Sequence, residues 1–194
     1  MEMKLKLNYG IDKKQIVIDN GKCLRCLEPI ASESSINEKE IVSTAIHNPI
    51  SSKPLERFIE KGDRLLIVIP DKTRLSRLNI VLPIVLKIIK DSGVKRENIK
   101  NIFANGSHAG QSENEKIEIL GKKIYSEYEI FEHNAYDDIN IDYYGKTEYG
   151  TKVYLNKILK SVDKIITIGA VSHHYFAGFG GGAKMLLPGL AYYK

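Results

Sequence analysis

The residues with most chemical capacity form one stretch: His173 and His174, then Tyr175 to Ala183 with Gly178, Gly180, Gly181 and Gly182, then Lys184 and Pro188-Gly189. Imidazoles exchange protons near neutral pH, and glycines let main-chain N–H groups approach a ligand closely. A lysine flanked by Ala183, Met185, Leu186 and Leu187 is suited to act as a nucleophile or an attachment point. Together these types fit a bound anionic cofactor. The plainer reading is a flexible glycine turn carrying a solvated lysine. Two named glycine motifs do not apply. Gly178-x-Gly180-x-x-Ala183 has dinucleotide-fingerprint spacing but does not open directly off a strand, and a Walker-type loop fails because Ala183 and Met185 replace its glycine and Ser/Thr.

Two other polar clusters carry chemistry. Asp71-Lys72-Thr73-Arg74 offers a planar guanidinium suited to carboxylate or phosphate, although a helix cap alone accounts for Asp71 or Thr73. Asn105-Gly106-Ser107-His108 presents an imidazole after a turn, which is either a surface histidine or a general acid/base. His47 and His133 lack such settings and are expected to be structural or solvated.

The elements that must hold these clusters follow from the apolar patterning. Residues 3–8 and 15–18 alternate around Tyr9-Gly10-Ile11-Asp12, a β-hairpin signature. Asn37 to Glu40 has capping-box spacing before a helix that His47-Asn48-Pro49 ends, and Pro54 opens a second helix running to Gly62. Leu65 to Ile69 is a continuous apolar run of the kind buried on both faces of a parallel sheet. A helix through Ile80, Ile84, Ile88 and Ile89 closes at Ser92-Gly93. Strands over 99–104, 128–132 and 164–169 are predicted, with a helix over 113–120 and a hairpin excursion over 139–155. This alternation predicts an α/β domain with a largely parallel sheet, flanking helices and an N-terminal β-hairpin. In such sheets ligands sit beyond the carboxyl ends of the strands. The loops at Asp71, at Asn105 and at Ser172 should therefore converge on one rim.

Composition bounds the rest. The chain has 194 residues, 43% of them hydrophobic, so one domain over 1–194 is expected. Its net charge of +5, from 29 basic and 24 acidic side chains, is spread along the chain; it suits an anionic small molecule, and nucleic acid is not an expected partner. No apolar run is long enough for a membrane span, so a cytoplasmic location without membrane attachment is expected. Cys23 and Cys26 form a lone C-x-x-C, read as reduced thiols in a connection.

Asp71-x-Thr73-Arg74, Asn105-Gly-Ser-His108 and His174-x-x-Ala-Gly-Phe-x-Gly-Gly-x-Lys184-x-x-x-Pro188-Gly189 resemble the amino-terminal domain of the nickel-dependent lactate racemases over most of the chain. The resemblance implies an isomerase acting on a small 2-hydroxy acid through a nickel pincer nucleotide, a pyridinium mononucleotide whose thioamide and thiocarboxylate arms grip nickel. It implies Lys184 as the tether, His108 and His174 as the two acid/base catalysts, and Arg74 as the group that orients the substrate. Asp71, Thr73, Gly181 and Gly182 fall at the cofactor rim. Leu75 stands where the family often has proline, and Gly180 where many members have serine. The family's histidine ligand to nickel and its carboxy-terminal domain fall beyond Lys194, so no metal ligand is expected in this chain. It is expected to lack cofactor and to be inactive alone. The alternative is a non-catalytic nucleotide- or anion-binding module of the same fold.

Overall fold

The structure is a computed structural model that describes residues 2–21, 25, 37–74 and 76–194. Cys23, Cys26 and Leu75 lie outside the described residues. Two compact units are present, Met1–Ser35 and Ile36–Lys194. The first contains the expected hairpin. Strands β1 (Met3–Tyr9) and β2 (Asp12–Ile18) pair antiparallel about a turn in which Gly10 takes φ 64°.

The second unit is the α/β domain. Its elements are α1 (Glu38–His47), α2 (Leu55–Phe58), β3 (Leu65–Pro70), α3 (Leu78–Asp91), β4 (Ile99–Ala104), α4 (Glu113–Leu120), α5 (Lys122–Glu127) and β5 (Glu129–Glu132). After these come the hairpin β6 (Ile141–Lys146) and β7 (Lys152–Asn156), strand β8 (Lys164–Thr167), and a small hairpin of β9 (His173–His174) and β10 (Gly178–Phe179). The main sheet has the order β5-β4-β3-β8 with every pair parallel. The apolar run 65–69 is fully buried, as expected for a central parallel strand.

Successive residues of a strand face opposite sides, and this divides the core in two. Leu65, Ile67, Ile69, Ile99 and Phe103 face one side, where Leu78, Leu82, Val85, Leu86 and Ile89 of α3 pack on them with Leu120 of α4 and Ile124 of α5. Leu66, Val68 and Ile102 face the other, covered by Met185, Leu190, Ile158 and Leu159 from 3-10 turns and the closing segment. The helices thus cover one face, and short turns anchor the glycine–lysine loop against the other.

Local details differ from expectation where side chains found other partners. Asn37 caps α1 by accepting from the Lys39 amide at 2.9 Å. The helix after Pro54 ends at Phe58 instead of Gly62, because Ile59 turns extended and buries itself. Helix α5 was not anticipated; it follows Gly121, whose φ of 80° separates it from α4. At α4, the Ser112 hydroxyl and Glu115 carboxylate form a reciprocal capping box.

Candidate active site

The three polar loops converge at the carboxyl end of the sheet. Parallel register pairs Pro70 with Ala104, so Asp71 and Asn105 leave adjacent strands side by side. A cavity of about 430 Å³ lies there, lined by Asp71 and Arg74 after β3, Asn105 to His108 after β4, and residues following β8 that include His173, His174, Gly181, Lys184 and Gly189. The loops are bonded to each other: Gly106 N–H donates to the Gly189 carbonyl at 2.9 Å and Gly180 N–H to the Ser172 carbonyl at 2.8 Å. Gly189 is obligatory here, since a Cβ would meet the Met185 carbonyl oxygen and approach Ala104 Cβ to 3.0 Å. Gly181 takes φ 75°, and a Cβ there would lie 3.0 Å from the Ala170 carbonyl oxygen.

Asp71 is 5% exposed and joins the first two loops. One oxygen accepts from the Thr73 amide at 2.8 Å and the Thr73 hydroxyl at 2.5 Å. The other faces His108 Nδ1 at 2.6 Å. Burial pushes this carboxyl up, but the bonds from Thr73 and His108 outweigh it and hold Asp71 below its ordinary range. Lys72 turns away to Glu115 at 2.8 Å, which leaves Arg74 as the cation of this loop at the cavity.

His174 is held differently. Its Nδ1 accepts from the main-chain N–H groups of Phe176 and Ala177, both at 3.2 Å, and its ring stacks on Tyr175 with centroids 5.2 Å apart. His173, the residue before it in the strand, packs on Phe179 instead. The cavity lining holds Arg74, Lys184 and three histidines against one carboxylate, Asp71, whose oxygens are already engaged. Such a lining favours an anionic ligand.

Behind the site stands His133, 1% exposed. Its Nε2 donates to the Ala191 carbonyl at 2.9 Å, and its Nδ1 accepts from the Asn156 amide at 3.3 Å. Its own carbonyl accepts from Asn105 Nδ2 at 2.9 Å, which ties the His108 loop to the core. Burial lowers the His133 pKa below the ordinary 6.5.

The family model for the lactate racemase N-terminal domain matches residues 9–194. The chain belongs to that family. Lactate racemase of Thermoanaerobacterium thermosaccharolyticum is 29% identical over 189 residues, covering 96% of this chain and 44% of the relative. Lactate racemase of Lactiplantibacillus plantarum is 32% identical over 161 residues, covering 83% of this chain and 38% of the relative. The lactate racemase apoprotein structure from T. thermosaccharolyticum superposes with TM-score 0.84 at 28% identity, over 98% of this chain and 44% of that one. A protein from Thermotoga maritima shares the fold, with TM-score 0.60 at 21% identity. The chain therefore spans less than half the length of these lactate racemases. Among the described residues, no helix is long and apolar enough to cross a membrane.

Within this domain, Asp71, Arg74, His108, His174, Gly181 and Lys184 line the same cavity. Thr73 and Gly182 do not line it: Thr73 is turned to Asp71, and Gly182 is exposed with φ 53°. The apolar sheath expected around Lys184 is largely absent. Met185 is buried, but Ala183 and Leu187 are exposed, because residues of a 3-10 turn fan out from its axis. Among the described residues, Lys184 takes part in none of the ion pairs. The Asp71–His108 pair and the His133 anchor were not read from the sequence. The first had a usable signal, since both residues follow strands expected to be parallel neighbours; the second had none, because its partners are a distant asparagine and a backbone carbonyl.

Proposed function

We propose that this domain is the cofactor- and substrate-binding half of a racemase or epimerase of small, lactate-type 2-hydroxy acids, working with a lysine-tethered nickel pincer nucleotide. The observation that carries the reading is the arrangement of His108 and His174 around one cavity with Arg74 and Lys184. A racemase needs two proton-transfer groups, one for each enantiomer.

The residues present fit the cofactor. Lys184 reaches the cavity and is engaged in no ion pair among the described residues, so its amine is free for a covalent link. Gly181 lines the cavity beside Lys184 with φ 75°, and a Cβ there would crowd the Ala170 carbonyl, so this wall is bare backbone whose loop packs closely behind the tether. The cationic lining suits a nucleotide phosphate. Lys184 would hold the group, with Gly181 beside the tether and Asp71 at the rim. When bound, the nucleotide supplies a hydride acceptor at its pyridinium ring.

The protein's own residues do the remaining work. Arg74 grips the substrate carboxylate through its planar fork of donors. His108 takes the hydroxyl proton of one enantiomer and His174 that of the other. Each returns a proton to the alkoxide as the planar 2-keto acid is reduced on its opposite face.

The test is intact mass together with racemisation in a chimera where this chain replaces the matching part of the T. thermosaccharolyticum relative. The unaltered chimera should carry the added mass and racemise lactate, and Lys184→Ala should lose both. Loss of the lysine should itself cost little stability, within about 1 kcal/mol at a partly exposed position. A Lys184→Ala variant that kept the mass and the activity would end this reading. Added mass without turnover in the unaltered chimera would favour a binding module.

A further inference from the structure

The two cavity histidines are bonded in opposite senses. His108 Nδ1 faces an Asp71 oxygen at 2.6 Å, and an ionised carboxylate only accepts. Nδ1 must therefore carry the proton, which leaves Nε2 of the neutral ring with a bare lone pair. His174 Nδ1 faces two amide N–H groups, of Phe176 and Ala177, each at 3.2 Å. Amides only donate through nitrogen, so Nδ1 must be bare and the neutral ring carries its proton on Nε2.

We propose that the resting site is built with its histidines in opposite tautomers, His108 offering a bare Nε2 as a ready proton acceptor and His174 presenting Nε2–H as a hydrogen-bond donor, and that Asp71 is the positioning residue that sets His108. The functional consequence rests on the racemase reading above. A hydroxyl group donates and a ketone oxygen only accepts, so the resting pair matches a 2-hydroxy acid at His108 and a 2-keto acid at His174. An enantiomer whose hydroxyl meets His108 finds its base prepared. To act as base toward the other enantiomer, His174 must first give up its two amide bonds and carry its ring proton on Nδ1 instead of Nε2.

Asp71 can hold this role because its charge is secured from behind. The Thr73 amide and hydroxyl fill its second oxygen, and hydrogen bonding keeps the carboxyl ionised despite its burial. The backbone device at His174 comes from the tight β9–β10 turn, whose pairing of His174 with Gly178 brings the amides of residues 176 and 177 onto the ring.

The test uses this chain, nitrogen-15 labelled, at about pH 8.5, two units above the ordinary histidine value of about 6.5. Long-range proton–nitrogen correlation spectra report which ring nitrogen is protonated, and His108→Gln and His174→Gln spectra assign the signals. His133 is an internal reference, since its bonds to Ala191 and Asn156 require the Nε2–H form. The expected result is Nδ1–H at His108 and Nε2–H at His174. The same tautomer at both, or the reverse assignment, would overturn the proposal. In Asp71→Ala, His108 should revert mainly to the Nε2–H form that free histidine prefers, with His174 and His133 unchanged. If His108 kept its Nδ1 proton without Asp71, the positioning role would be refuted. None of these spectra needs cofactor or turnover, so failure of the racemase reading would register separately.

Discussion

Replacing Gly189 with alanine should show how tightly the site is tied to the fold. The added Cβ would sit against the Met185 carbonyl, 2.7 Å from its carbon, and 3.0 Å from Ala104 Cβ. None of these is the end of a flexible side chain. Met185 is buried against the sheet and Ala104 ends β4, so neither yields without moving the core. Relief must come from the Pro188–Gly189 segment, whose carbonyl accepts from Gly106 N–H and whose amide donates to Lys184 O at 3.1 Å. Overpacking of this kind costs about 1–3 kcal/mol, which for a domain of this size lowers Tm by roughly 2–12 °C. Gly180→Ala is the control: its Cβ would meet Ser172 Oγ at 3.4 Å in ordinary contact, and the position needs no left-handed backbone. It should stay within about 0.5 kcal/mol of the parent. Thermal denaturation followed by circular dichroism reads both variants. Equal melting temperatures for Gly189→Ala and Gly180→Ala would refute the packing argument.

Three further outcomes are expected. His133 is neutral and buried in the folded state but takes a proton near its ordinary 6.5 when unfolded, so its contribution to stability is full above that value and is lost as pH falls below it; urea titrations between pH 7.5 and 5 should show this fall, reduced in His133→Gln. In the loaded chimera, His108→Ala and His174→Ala should each keep the cofactor mass but slow racemisation by about 10²-fold or more, checked by mass spectrometry and a chiral lactate assay. Calorimetry should detect no tight, stoichiometric nickel binding by the unmodified chain, because among the described residues no three His, Cys, Asp or Glu side chains converge as a ligand set, and His173 and His174 point to different partners.

The scaffold was legible where one physical requirement dominated. An unbroken run such as Leu65 to Ile69 has no polar position to turn to water, so it fixes a buried strand whatever surrounds it. The same holds for the α3 face that packs on it. The Ser112-x-x-Glu115 box was equally local and readable, although it went unread. The loop residues Asp71, His108 and His174 were legible as candidates because polar, chemically capable types follow apolar strands.

Their pairing was decided elsewhere. Which partner a polar side chain takes depends on groups brought near by the chain's path, and sequence spacing carries almost nothing about it. Asp71 is a plausible helix cap by spacing, yet it grips His108 because β3 and β4 are parallel and in register at Pro70 and Ala104. Lys184 has apolar neighbours in sequence, yet a 3-10 turn spreads them and leaves the lysine at a polar cavity. His133 looked solvated or structural, and burial among Asn156, Ala191 and the Asn105 loop made it structural. The sequence by itself determined the layers and the chemical types at their edge, since hydrophobic periodicity is local and additive. Tertiary structure alone decided the hydrogen-bonded pairs and the tautomers they impose, since those need distances of about 3 Å between residues far apart in the chain.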